Sequence, residues 1–104
     1  MSFSTLALRI EIVTALTKLG YHEPTEVQSQ VIPVALEGKN IIVQSHTGSG
    51  KTAAFVIPAL NRIDPRLRKP QVLILEPTRE LAIQIEESFH SYGRYTGLHQ
   101  TVVF

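Results

Sequence analysis

Residues 45–52 read Ser-His-Thr-Gly-Ser-Gly-Lys-Thr and follow the unbroken apolar run Ile41, Ile42 and Val43. A strand that turns through glycines into a helix directs backbone N–H groups at an anion lying on the positive end of the helix dipole. Phosphate is the natural ligand of such a cradle. The candidate nucleotide contacts are therefore Ser45, His46, Thr47, Gly48, Ser49, Gly50, Lys51 and Thr52. Thr47 to Gly50 would wrap the phosphates, and Lys51 would reach the outer ones as a point charge. Thr52 would offer a hydroxyl to Mg²⁺, the metal that accompanies a nucleoside triphosphate. Lys51 and Thr52 are thus the candidate catalytic pair. The usual pattern has glycine where Ser45 stands, and serine is small enough to be tolerated there.

Other residues carry chemistry less directly. Glu76 closes the apolar run Val72-Leu73-Ile74-Leu75, the place where a phosphate-loop enzyme can hold a metal-linked acid. Thr78 can cap a helix beginning at Arg79, and such an N-terminus can also hold a phosphate. By their types alone, Arg79 and Glu80 are solvated, Gln28 is a surface amide, and Phe3 and Tyr21 are core aromatics. Arg62, Arg66, Arg68 and Lys69 read as a solvated basic turn. The absence of cysteine excludes disulfides and thiolate metal sites, and His22, His46, His90 and His99 lack ligand spacing.

The elements that must position these residues follow from periodicity and breakers. Ser4 and Thr5 can cap a helix carrying Leu6, Ile10, Val13 and Leu16, closed by Gly20. Pro24 and Thr25 open a second helix with Val27, Val31 and Leu36, bent near Pro33 and stopped by Gly38. A third runs from Lys51 through Ala53, Ala54, Phe55, Ile57 and Leu60, where Pro58 should kink or shorten it. A fourth places Leu81, Ile85, Phe89 and Tyr92 on one face before Gly93 and Gly97. Between them, residues 40–44 and 72–75 have the pattern of strands buried on both faces, and residues 101–104 begin a third strand. Strands alternating with helices predict an α/β fold with a parallel sheet, here with two helices preceding the first strand.

With 104 residues there is room for one modest domain, spanning residues 1–104 without an internal boundary. A hydrophobic share of 43% against 18% charged predicts a globular chain. The net charge of +1 lacks the footprint of binding nucleic acid by bulk charge, so any such contact must be local. No stretch reaches the roughly 20 apolar residues of a membrane span, and a soluble, cytoplasmic protein is expected.

Three segments in order, Gly20-Tyr21 through Pro24-Thr25 to Gln28, then residues 45–52, then Pro77-Thr78-Arg79-Glu80-Leu81-Ala82, resemble the DEAD-box RNA helicases. The resemblance covers nearly the whole chain, and Phe3 stands 25 residues before Gln28, where that family places an upstream aromatic. It implies a RecA-like phosphate-loop domain. Gln28 would read the adenine of ATP in preference to GTP, because an amide donates and accepts at once. Tyr21 would stack on the base and Phe3 would brace the segment. Pro77, Thr78 and Arg79 would hold the RNA backbone without reading its sequence. The family's reaction is ATP-dependent unwinding of short RNA duplexes between two RecA-like domains.

The chain departs from that pattern in what it does not contain. The Asp-Glu-Ala-Asp segment, the Ser-Ala-Thr segment and the second domain are absent, and the only aspartate is Asp64. The expectation is the N-terminal portion of the first RecA-like domain, truncated, binding nucleotide weakly and not hydrolysing it. The strands that should flank the phosphate-loop strand are missing as well, so unpaired edges would favour self-association. Two other readings stand beside this one: a non-catalytic nucleotide- or RNA-binding module that regulates a partner, and a phosphate-loop enzyme using Glu76.

Overall fold

The computed structural model of the chain describes residues 2–44 and 50–103. A short 3₁₀ turn at Phe3–Thr5 precedes four helices: α1 (Ile10–Lys18), α2 (Glu26–Leu36), α3 (Lys51–Arg62) and α4 (Arg79–Tyr92). The expected roles of residues 45–49 and Phe104 lie outside the described residues.

Helix α1 begins later than the capping residues suggested. Ser4 and Thr5 belong to the 3₁₀ turn, where the Thr5 hydroxyl donates to the Ser2 carbonyl at 2.7 Å, and so neither caps a helix. Arg9 is the true N-cap, its carbonyl accepting from the amides of Ile12 and Val13. The buried face is accordingly Ile12, Ala15 and Leu16, while Ile10 is 70% exposed and Leu6 lies outside the helix. Gly20 ends α1 as expected. With φ +86 it lets its own N–H reach Thr17 O and the Tyr21 N–H reach Leu16 O, satisfying two carbonyls of the last turn.

Helix α3 is the centre of the core. It buries Ala53, Ala54, Val56, Ile57, Pro58 and Leu60. Around it gather Phe3, Ile12 and Leu16 from the leading segment, Ile32 from α2, and Ile85 and Phe89 from α4. Pro58 does not shorten α3, which continues to Arg62; its ring is buried, so packing offsets the amide hydrogen bond it cannot make. Gly93 closes α4 where there is no room for a side chain, since a Cβ there would lie 2.7 Å from Leu60 Cδ2 and 2.7 Å from the Phe89 carbonyl oxygen.

The described residues do not show the parallel sheet expected from the apolar runs. Among the described residues there is no strand, and residues 40–44, 72–75 and 101–103 belong to no regular element. Ile42 is 95% exposed, Leu73 83%, Leu75 82% and Val103 86%, the opposite of burial on both faces. Unbroken apolarity shows that a segment could be buried in a sheet. A strand also needs a neighbour to receive its backbone hydrogen bonds, and these three segments do not pair with one another. The helices nevertheless close on a common core, and the radius of gyration of 13.1 Å matches the ~13 Å of a compact chain this long.

The turn after α3 is built by side chains. Gln71 clasps Asp64 at both ends, accepting from its N–H at 2.9 Å and donating to its carbonyl at 2.8 Å. The Asp64 carboxylate accepts from both the side chain and the backbone of Arg66, which holds it below the usual aspartate range.

Candidate functional site

The site is built where α2 and α3 begin side by side. Thr25 and Gln28 form a reciprocal cap: the Thr25 hydroxyl accepts from the Gln28 N–H at 3.3 Å, and Gln28 Oε1 accepts from the Thr25 N–H at 3.0 Å. The other end of the same amide leaves α2. Gln28 Nε2 donates to the carbonyl of Gly50 at 3.2 Å, across 22 residues of sequence, and the side chain is only 7% exposed. A glutamine amide has two N–H groups and two oxygen lone pairs, and these contacts use one of each. One donor and one acceptor are not used by these contacts.

Gly50 is the N-cap of α3 and stands in the left-handed region, with φ +91 and ψ 21. A side chain there would be strained, and it would also collide. A Cβ would sit 2.5 Å from Gln28 Nε2 and 2.9 Å from Thr25 Oγ1, so any other residue here is strained and must displace those side chains. Among the described residues no side chain caps α3, and no acidic residue stands in its first turn. An α-helix leaves its first N–H groups without intrahelical partners, so the first turn of α3 carries donors and partial positive charge suited to an anion. Lys51 is half-buried and Thr52 exposed in that turn.

The other candidate residues fall into two groups. Phe3 is buried, and its N–H donates to the carbonyl of His22 at 3.0 Å, tying the leading turn to the segment that ends in Gln28. Tyr21, 51% exposed, meets the ring of Tyr92 on α4 edge-on at 6.2 Å between centroids. Partial burial, with the nearby Tyr21 hydroxyl as a smaller cause, raises the Tyr92 phenol above its ordinary value. Pro77, Thr78 and Arg79 are exposed at the start of α4, where the Thr78 hydroxyl accepts from the Leu81 N–H at 3.2 Å. Glu76 is half-buried, and among the described residues no three His, Cys, Asp or Glu side chains gather as a metal site.

Sequence reasoning did not anticipate the link from Gln28 to Gly50, nor the packing role of Gly93. The capping box was readable, since a threonine followed three residues later by glutamine is its signature. The bond to Gly50 carries no sequence signal.

A family model described as DEAD/DEAH box helicase matches residues 25–104. The chain is 48% identical over 94 residues to the ATP-dependent RNA helicase DeaD of Klebsiella pneumoniae, covering 90% of this chain and 15% of that protein. It is 49% identical over 102 residues to the ATP-dependent RNA helicase DbpA of Bacillus subtilis (strain 168), covering 98% and 21%. Among solved structures, a DEAD box protein from the hyperthermophile Methanococcus jannaschii is similar with a TM-score of 0.83 at 41% identity, over 88% of this chain and 25% of that one. Dbp5 of S. cerevisiae bound to RNA and ADP BeF3 is similar with a TM-score of 0.88 at 36% identity, over 92% and 25%. The chain belongs to the DEAD/DEAH box helicase family. It spans 15% to 21% of the length of these curated relatives, and its path follows the RecA-like domains of the solved ones although its described apolar segments form no strand.

Proposed function

We propose that this chain is the N-terminal portion of the first RecA-like domain of an ATP-dependent RNA helicase, carrying its adenine-reading, phosphate-binding and first RNA-contacting segments. The observation that carries this reading is the Gln28–Gly50 hydrogen bond, which joins the base-reading amide to the residue that starts the phosphate helix. Gln28 spends half its capacity on that junction and offers one donor and one acceptor to the adenine edge, a pairing that guanine does not match. The first-turn amides of α3 and the charge of Lys51 receive the phosphates, with residues 45–49 completing the loop. An exposed hydroxyl one residue past Lys51 suits a phosphate-bound metal, so Thr52 would hold the Mg²⁺ of the nucleotide. When bound, that ion supplies neutralisation of phosphate charge.

At α4, Pro77, Thr78 and Arg79 receive the RNA backbone through an exposed guanidinium and the helix N-terminus, without sequence preference. The groups that position water and stabilise phosphoryl transfer are not in this chain, so it binds ATP weakly and does not turn it over. Its unpaired apolar segments drive self-association, and its compartment is the cytoplasm. Titration with fluorescent ATP and GTP analogues in Mg²⁺ tests the reading. ATP should bind weakly, GTP more weakly still, and Lys51→Ala should abolish both. Equal affinity for the two bases would remove the role of Gln28, and phosphate release that rises with RNA would overturn the inactive assignment.

A further inference from the structure

Helix α3 is held at both ends by chain that precedes it. At its N-terminal end the holder is Gln28. At the other end residues 7–9 lie across residues 61–63 through three hydrogen bonds. The Arg9 N–H donates to Asn61 Oδ1 at 2.7 Å, Arg9 Nη1 donates to the Ile63 carbonyl at 2.8 Å, and Asn61 Nδ2 donates to the Ala7 carbonyl at 3.5 Å. Glu11 pairs with Arg9 Nε at 3.1 Å and fixes the guanidinium that reaches Ile63. These contacts bridge 52 to 54 residues of sequence, so they orient one element on another.

We propose that Arg9 and Asn61 are positioning residues for nucleotide binding: they anchor the far end of α3 so that its first-turn amides are aimed by two fixed points. This rests on reading the start of α3 as the phosphate site. The physical argument is that of a lever. Twelve residues of α-helix form a rod about 18 Å long, and its first N–H groups lie nearly along its axis. If the C-terminal end is released, the axis can pivot about the Gln28–Gly50 contact, which turns those N–H groups away from the phosphate. Charge-assisted hydrogen bonds to an anion lose strength steeply with such misalignment. The guanidinium near the C-terminal end also complements the dipole whose positive end faces the ligand.

The test uses the full chain and a fluorescent ADP analogue with Mg²⁺, at a temperature well below thermal unfolding of every variant. Asn61→Ala and Arg9→Ala should each raise Kd by about three- to tenfold, with helical circular dichroism unchanged. Asn61→Asp, which keeps the acceptor for the Arg9 N–H, should restore most of the affinity. Ile85→Val, which thins the core away from both anchors, should lower the melting temperature and leave Kd alone. If Arg9→Ala and Asn61→Ala melt earlier but bind with wild-type affinity, the contacts are structural only and the proposal is wrong. Should Asn61→Ala fail to fold, Arg9→Ala and Asn61→Asp decide between the same two outcomes. A wild-type chain that binds no nucleotide, at any temperature below melting, would overturn the phosphate-site reading and this proposal with it.

Discussion

Replacing Gln28 by alanine removes two hydrogen bonds and leaves a third in place. The Thr25 N–H loses its acceptor, and the Gly50 carbonyl loses the Nε2 donor, whereas the Thr25 hydroxyl still accepts from the residue-28 N–H. Losing half of a reciprocal cap costs about 0.5–1 kcal/mol. The Gly50 carbonyl keeps the Ala54 N–H at 3.2 Å, so it is not orphaned, and the lost bond costs about 0.5–1.5 kcal/mol. The sum is about 1–2.5 kcal/mol, which for a chain this size corresponds to a fall in Tm of very roughly 5–15 °C. Thermal unfolding followed by far-ultraviolet circular dichroism measures it directly. Gly50→Ala supplies the internal check, because its Cβ would lie 2.5 Å from Gln28 Nε2. With alanine at residue 28 that collision disappears, so the double variant should be less destabilised than the two single variants added together, by about 1 kcal/mol. A Tm shift below about 2 °C for Gln28→Ala, or strict additivity in the cycle, would show that the junction does not join α2 to α3 as the structure indicates.

Two further outcomes follow from packing and titration. Gly93→Ala should cost about 1–3 kcal/mol by overpacking, since one of the atoms it meets at 2.7 Å is backbone oxygen and cannot retreat; chemical denaturation with an unchanged slope would measure this. The folded state favours the neutral phenol of Tyr92, so that contribution is fully present below the ordinary tyrosine value near 10 and is lost as pH rises through the higher folded-state value. Tyr92→Phe should therefore flatten the alkaline end of the stability profile. An unchanged profile would mean that the phenol is not desolvated beside Tyr21.

The helices were legible because their information is local. Gly20 and Gly38 stand in left-handed backbone just past the helices they end, and Thr25 and Thr78 cap the helices they precede. Where the sequence misled, two uses of the same residue type competed. Ser4 and Thr5 have hydroxyls that serve a 3₁₀ turn as well as a helix cap, and the choice fell to how Phe3 docks into the core. The strands failed for a different reason: Ile41 to Val43 and Val72 to Leu75 are apolar enough for a sheet, but a sheet is a property of pairs of segments.

Residue type and spacing alone determined the family, from three segments in order, and the helix that begins at Lys51 and the cap at Thr78, which depend on neighbours within a few positions. Only the tertiary structure decided that Gln28 turns its amide onto Gly50, that Arg9 and Asn61 secure the other end of the same helix, and that the apolar runs stay unpaired. Those contacts join residues 22 to 54 positions apart, and at that range proximity is set by how the core of α3 packs.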